Sequence, residues 1–396
     1  MMVVLLFQSS CGSNMKERLN LLREFSVPLL LGVIAALVWV NRAPENYNRF
    51  LHGHFLGPIS FHFLANDIFM VFFFGIAAVE IAQSLLPGGD LHPIRKSVNP
   101  LLATLGGVIG PAVVYLVLNH FVGSPELLRG WGIPTATDIA FAWLIARMVF
   151  GNDHPAVSFL VLLAVADDGI GLAIIAIFYP DPLLPVKPLW LLLVLAGMAA
   201  AFLARRGHVK SYWPYVLTGG GLSWAGLFNA HLHPALALAF IVPFMPHRSF
   251  EEKHLFEEDV SDRSTIAQFE HEWKLIVDFG LFMFGLANAG VAFSSVGTAT
   301  WLVLAALLIG KTAGIFSLGY LAYRLGFPLP HGMQKKELLV VGIIAGFGFT
   351  VALFVAGEAF IDPAHRGAAK MGAMLSCGSA VIAVIAASLL KIRRNA

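Results

Sequence analysis

Four charged residues stand inside long apolar stretches of this 396-residue chain. Asp138 closes the run Trp131-Gly-Ile-Pro-Thr-Ala-Thr-Asp138, Asp167 and Asp168 sit side by side in Ala164-Val-Ala-Asp-Asp-Gly-Ile-Gly171, and Lys311 follows Gly310. Holding an ionisable side chain in the middle of a bilayer costs at least ~2.5 kcal/mol on insertion scales, so each is by default a functional residue. The alternative is a set of buried ion pairs that tie helices together. Three carboxylates against one lysine, however, leave negative charge with no protein partner, and a cation or protons must supply the balance. Successive helical residues point about 100° apart, so Asp167 and Asp168 cannot share a direction. One is expected to face a cavity and the other a neighbouring helix. Two carboxylates this close repel when both are ionised. Such a site can take either a proton or a hard cation such as Na⁺, because both satisfy the same oxygen lone pairs, and the two ligands compete.

The surrounding chain is 58% hydrophobic and only 13% charged, against about a quarter charged in soluble globular proteins. With a mean hydropathy of +0.76, its solvent is a bilayer, and a soluble fold is excluded. Hydropathy places spans near 25–41, 66–86, 99–119, 131–149, 156–178, 187–205, 212–226, 231–245, 274–293, 299–323, 338–357 and 368–390, most of them close to the roughly 20 residues a bilayer needs. The expectation is an all-α integral membrane protein of about twelve transmembrane helices. Residues 1–24 form a cytoplasmic N-terminal segment, and 25–396 form a single polytopic transmembrane domain. An even number of spans puts both termini on one side. Most of the 26 Lys and Arg fall on that side, which the positive-inside rule makes the cytoplasm. Lys16, Arg18 and Arg23 follow Met15, which is the expected start, the residues before it being dispensable. The longest inner loop, Pro246 to Trp273, concentrates acidic residues with His247, His254 and His271. A net charge of +2 favours no nucleic-acid partner. Cys11 and Cys377 offer neither metal-ligand spacing nor a disulfide framework.

Proline and glycine supply a second signal. Pro134 lies four residues before Asp138, where it removes a backbone hydrogen bond and clashes with the preceding turn, so the fourth span breaks near 133–137. The eleventh span carries Gly342, Gly346 and Gly348 in Gly342-Ile-Ile-Ala-Gly-Phe-Gly-Phe-Thr350, a stretch poorly disposed to stay helical. Small residues that merely permit close helix packing are the competing explanation. Position decides between them: if spans 3–5 and 10–12 are inverted repeats, the interrupted fourth and eleventh spans are the middle members of each. Two crossing broken helices bring two N-terminal and two C-terminal half-dipoles together, each end worth roughly half a charge. Asp138 would offset the positive ends, while Lys311 could offset the negative ends or pair with Asp167.

At these residues the chain resembles the NhaA-type sodium/proton antiporters, over essentially everything after Met15. The resemblance rests on Asn66-Asp67, Thr137-Asp138, Ala166-Asp167-Asp168-Gly169, Ala287-Asn-Ala-Gly290, Gly310-Lys311 and Gly346-Phe-Gly-Phe-Thr350, taken in their order and spacing. It implies that Asp167 and Asp168 form the site for protons and the transported Na⁺. Lys311 is then the charge partner of Asp167, and Thr137, Asp138, Gly346, Gly348 and Thr350 belong to the unwound helices. It further implies exchange of internal Na⁺ or Li⁺ for external protons, electrogenically, in the inner membrane of a bacterium, with a role in sodium and pH homeostasis. Homodimers form in this family through a hairpin in the first outer loop, for which Asn41 to Ala65 has the length. No cofactor is implied, and the membrane lipid and the transported ions are the expected partners. Departures touch regulation. Glu80 is followed by Ile81, Ala82, Gln83 and Ser84 rather than by charges, and Glu270 and His271 lack the second histidine expected after them. Glu80, Glu270 and His271 remain the candidates for a pH response, histidine being suited to it.

Alternating access is the expected mechanism, because a charged, empty site crosses hydrocarbon at high cost and reorients readily only when Na⁺ or protons neutralise it. An electrogenic cycle needs a second titrating group besides one carboxylate, and Asp167 or Lys311 could be it. Two rivals use the same residues. An intramembrane aspartyl protease would employ Asp138 and Asp168 as an acid/base dyad, but the Tyr-Asp and Gly-x-Gly-Asp motifs are missing beside them. A sodium-coupled symporter of organic solutes would cradle an anion at the broken helices, where the acidic pair disfavours it. The chain is therefore expected to be a transporter and not an enzyme.

Overall fold

The computed structural model describes residues 27–56, 59–86, 94–152, 154–180, 184–246 and 264–392. The N-terminal segment 1–24 and most of the acidic loop, with His247 and His254, lie outside the described residues. What is described is helical almost throughout. Six helices are long and apolar enough to cross a membrane singly, and two bent pairs qualify together.

Helix α1, Val27–Arg42, is followed by a short helix α2, Pro44–His52, and by a ladder of β1, His54–Leu56, and β2, Ile59–Ser60, which pair antiparallel with His54 opposite Ser60. The hairpin expected between Asn41 and Ala65 is thus mostly helix, with a ladder of a few residues at its tip. Ser60 Oγ caps α3, Phe61–Leu85, by accepting from Phe63 N at 3.1 Å. This helix starts earlier than hydropathy indicated and passes through a π-helical stretch, Leu64–Phe69, that carries Asn66 and Asp67. Helix α4, Ile94–Val122, contains Pro100 and Pro111. The expected break follows: α5, Pro125–Thr135, has 3₁₀ geometry, and α6, Ile139–Phe150, leaves it at 55°. Then come α7, Pro155–Phe178, α8, Pro188–Arg206, α9, 215–229, α10, Pro234–Phe244, and α11, Thr265–Asn288. Helix α12, Thr298–Arg324, includes a π-helical stretch, Ala306–Lys311. The second break separates α13, Lys335–Ala345, from α14, Thr350–Ala359, at 50°, and α15, Pro363–Leu389, ends the fold.

These helices sort into two bundles. In one, α4 crosses α12, and α5, α6, α7, α13, α14 and α15 pack around that crossing. A Cβ added at Gly106 on α4 would stand 2.1 Å from the Gly314 carbonyl oxygen on α12, so only glycine permits the contact. In the other bundle, α1 lies along α11, α3 along α10 and α11, and α8 against α9. The bundles meet along a seam where α3 touches α7 and α11 touches α14. Large apolar side chains such as Leu31, Ile34, Leu189 and Leu192 are exposed on the outside, as lipid-facing residues must be.

Candidate ion-binding site

The two breaks meet, and the backbone groups they leave without helical partners are the scaffold of the site. Asp138 is the N-cap of α6: its Oδ1 accepts from Phe141 N at 3.3 Å, and its own N–H donates to the Phe347 carbonyl at 2.9 Å. Its Oδ2 accepts from Thr350 Oγ1 at 2.9 Å and from Thr350 N at 3.3 Å. One carboxylate therefore lies against the N-termini of both α6 and α14, where anions are favoured by the helix dipoles. Thr137 Oγ1 donates to the Ala345 carbonyl, the last residue of α13, at 3.1 Å.

Glycines allow the unwound strand of the second break to run close to α12 and α5. A Cβ at Gly348 would lie 2.6 Å from the Leu307 side chain and 3.1 Å from the Ala136 carbonyl oxygen. Gly346 is equally confined, facing the Leu307 carbonyl oxygen at 2.8 Å. Ser376 on α15, which sequence reasoning passed over, serves this strand by accepting from Gly348 N at 3.2 Å. Stacking of Phe141 on Phe347, with ring centroids 5.0 Å apart, closes the crossing on one side.

Lys311 touches both of the partners considered for it, a helix C-terminal end and Asp167. Its Nζ donates to Thr135 O at 2.6 Å, the C-terminal end of α5, and to Asp167 Oδ2 at 2.8 Å. Both side chains of this ion pair have 0% exposure, so neither charge is screened by water. Among the described residues, none donates a hydrogen bond to Asp167 Oδ1. Asp168, one step along α7, is half-buried; its Oδ1 is shut from solvent and likewise receives no donor. Its neighbour Gly169 faces Ile81 of α3 across the seam, 3.5 Å from where a Cβ would stand. Among the described residues no group of three or more His, Cys, Asp or Glu is placed to hold a metal ion. A cation at this pair would complete its oxygen shell from hydroxyls, backbone carbonyls and water.

A profile of the Na⁺/H⁺ antiporter 1 family matches residues 19–390. The chain belongs to that family. It is 68% identical over 380 residues to the Na⁺/H⁺ antiporter NhaA 1 of Pelobacter propionicus, covering 96% of this chain and all of the relative. It is 65% identical to the Na⁺/H⁺ antiporter NhaA of Geobacter sulfurreducens with the same coverage. The solved sodium proton antiporter MjNhaP1 of Methanocaldococcus jannaschii shares the fold at a TM-score of 0.50 and 17% identity, over 93% of this chain and 97% of that one. The protein is an integral membrane transporter that exchanges Na⁺ and H⁺, in a family of transporters and not of enzymes.

Of the pH-response candidates of the antiporter, Glu80 precedes Ile81, the residue that faces Gly169 across the seam. Glu80 is on α3 and Glu270 on α11, and Gln83 Nε2 donates to Glu270 Oε2 at 3.0 Å, so the two helices are linked there. Phe72 stacks on Trp273 at 4.0 Å between ring centroids and adds to that link. His271 is exposed and takes no part in it. Tyr212 donates to Glu272 beside that link.

A second polar cluster was not foreseen. Lys370 on α15 is 8% exposed, and its Nζ donates to Asn288 Oδ1 at 3.3 Å. Hydropathy had put residue 370 inside the last window, 368–390, so the rule that singled out Lys311 applied to it too.

Proposed function

We propose that this antiporter exchanges cytoplasmic Na⁺ or Li⁺ for external protons by alternating access at Asp167 and Asp168, electrogenically, in sodium and pH homeostasis. The observation that carries the reading is the Asp168 carboxylate. It lies beside Asp167, which Lys311 already holds at 2.8 Å, and it keeps an oxygen shut from solvent without a donor. A carboxylate oxygen shut from water with no donor is stable only while a proton or a cation satisfies it. Its place on the seam gives the rest: sliding or rocking of one bundle against the other would open the pair to one side at a time. Lys311 and Asp138 fix the frame, and Thr137, Gly346, Gly348 and Thr350 keep the crossing in shape. Glu80, Glu270 and His271 would adjust the response to pH.

The same reading takes spans 3–5 and 10–12 as inverted repeats within twelve spans. The corresponding contacts support it, since α4 and α12 cross, α5 meets α14, and α7 and α15 each return to their own half. It also takes the inner membrane of a bacterium as the location, both termini as cytoplasmic and a homodimer as the assembly. The protease rival loses its dyad, because three hydrogen bonds from Thr350 and Phe141 occupy the Asp138 carboxylate. Sodium-induced fluorescence dequenching in everted vesicles tests the assignment. Asp168→Asn is expected to abolish exchange with the fold intact, and undiminished exchange in that variant would refute it.

A further inference from the structure

Two polar contacts cross the seam far from Asp168. Lys370 of α15 reaches Asn288 of α11 at 3.3 Å, and Glu358 of α14 lies 3.7 Å from Nδ1 of His233, the residue just before α10. Gly357, next to Glu358, stands between them: a Cβ there would be 3.8 Å from Asn288 Oδ1 and 3.9 Å from Lys370 Nζ. Behind Asn288 the chain continues through the other bundle. Asn288 Nδ2 donates to Asn66 Oδ1 at 2.6 Å, and Asn66 Nδ2 meets His62 Nε2 at 3.0 Å. Every link donates in the same direction, from Lys370 to His62, so each amide is engaged at both ends. His52 and Arg366 carry the same cluster toward the surface, the His52 and His62 rings being 5.6 Å apart.

Placement gives this cluster its meaning. Asn66 and Ile81, the residue facing Gly169, are separated on α3 by a rise of about 22 Å at 1.5 Å per residue. Between them Phe74 packs on Phe354 of α14, ring centroids 5.5 Å apart, again across the seam. From the His62 end inward the seam therefore runs from a polar plug, through an apolar contact, to the acidic pair. The polar stretches of both helices were recruited for it: Asn66 lies in the π-helical part of α3 and Asn288 is the last residue of α11.

The geometry points to Lys370 and Asn288, with Glu358 and His233 beside them, as the gate that seals the acidic pair from the outer solution and must part in every transport cycle. It rests on the alternating-access reading above, in which the His62 end of α3 is the outer one. A buried ammonium held by an amide oxygen suits a gate better than a permanent strut. The contact is strong enough to hold when the seam is closed, and the charge gains hydration when it opens.

Cross-linking tests it in the full-length protein reconstituted in liposomes, with Cys11 and Cys377 replaced by serine. The pair Asn288→Cys and Gly357→Cys places two thiols across the seam while keeping Lys370. Oxidation is expected to stop Na⁺/H⁺ exchange and reductant to restore it; full exchange in the oxidised, cross-linked protein overturns the gate. A second measurement needs no transport. A Phe74→Cys reporter is labelled by a membrane-impermeant thiol reagent added outside. Lys370→Met is expected to raise the labelling rate roughly tenfold, as loss of a charge-assisted hydrogen bond would, and Lys370→Arg to leave it slow. Equal rates in all three backgrounds overturn the proposal. If the unsubstituted protein exchanges but locking has no effect, the gate alone fails. If it does not exchange Na⁺ for H⁺, the site reading fails and the labelling still judges the gate.

Discussion

Removing Lys311 should be far more damaging than removing the whole ion pair. The Lys311 ammonium and the Asp167 carboxylate are both fully buried at 2.8 Å. Lys311→Met leaves that carboxylate charged or forces it to take up a proton, at a cost of about 3–5 kcal/mol for a broken buried pair. It also strips Thr135 O of its donor at 2.6 Å, worth about 1–3 kcal/mol more if nothing replaces it. The double variant Asp167→Asn with Lys311→Met removes both charges. Replacing a buried pair by neutral residues of similar size is commonly neutral or stabilising by about 1–4 kcal/mol, so the double variant should recover most of what the single one loses. Thermal unfolding of the four purified proteins in one detergent gives the double-mutant cycle. Exchange assays on the same set test the function, because with Asp168 as the only titrating carboxylate of the pair, one proton replaces one Na⁺ and a membrane potential no longer drives the reaction. Additive losses in the cycle would show that the two groups do not act as a pair, and the reasoning would fail.

Two further outcomes follow from named contacts. Asp138→Ala removes the acceptor of Thr350 Oγ1, Thr350 N and Phe141 N, each worth about 1–3 kcal/mol when left unpaired. It should cost more thermal stability than Asp138→Asn, which keeps one acceptor oxygen, and equal losses would argue against the double cap. His52 on α2 is held below the usual histidine range by partial burial and then by the charges of Arg366 and Lys370. The unfolded chain therefore binds a proton there first, and the contribution of His52 to stability falls as pH drops below about 6.5. Lys370→Met should move its titration upward, measured by NMR of ring-labelled histidine, and a downward shift would contradict the placement of Lys370.

The charges of the site were legible because an aspartate in an apolar run violates the composition around it, and the breaks because Pro134 and the glycines after Gly342 oppose a continuous helix. Their mutual arrangement was not. Asp138 and Thr350 are 212 residues apart, and only the crossing of two bent helices brings them together. The same crossing lets Lys311 serve Thr135 and Asp167 at once, which sequence reasoning held as alternatives. Hydropathy also misplaced the first half of the fourth span. Residues 125–130 are too polar for a window to include, yet the segment forms because tyrosines hold its backbone: Tyr115 OH donates to Leu127 O at 2.8 Å, and Gly132 N donates to Tyr179 OH at 2.9 Å. Lys370 escaped notice because it sits at the edge of a window, where a lysine normally reaches the interface; its burial depends on Asn288, which arrives from another bundle.

The arrangement of charge bears on how many ions the site exchanges. Asp138 faces two helix N-termini, whose half-charges roughly cancel it. Lys311 cancels Asp167 but also faces the C-terminal end of α5, and the end of α13 lies nearby, bonded by Thr137. Those two ends carry roughly one negative charge together. Added to Asp168, they leave the crossing roughly two charges negative when every carboxylate is ionised. Two protons neutralise such a site, whereas a single Na⁺ leaves it one charge short. This balance supports the proposed electrogenic cycle, in which the numbers of protons and sodium ions exchanged are unequal. It requires Asp168 and the Asp167–Lys311 pair to titrate together, so either half alone should transport without net charge movement or not at all.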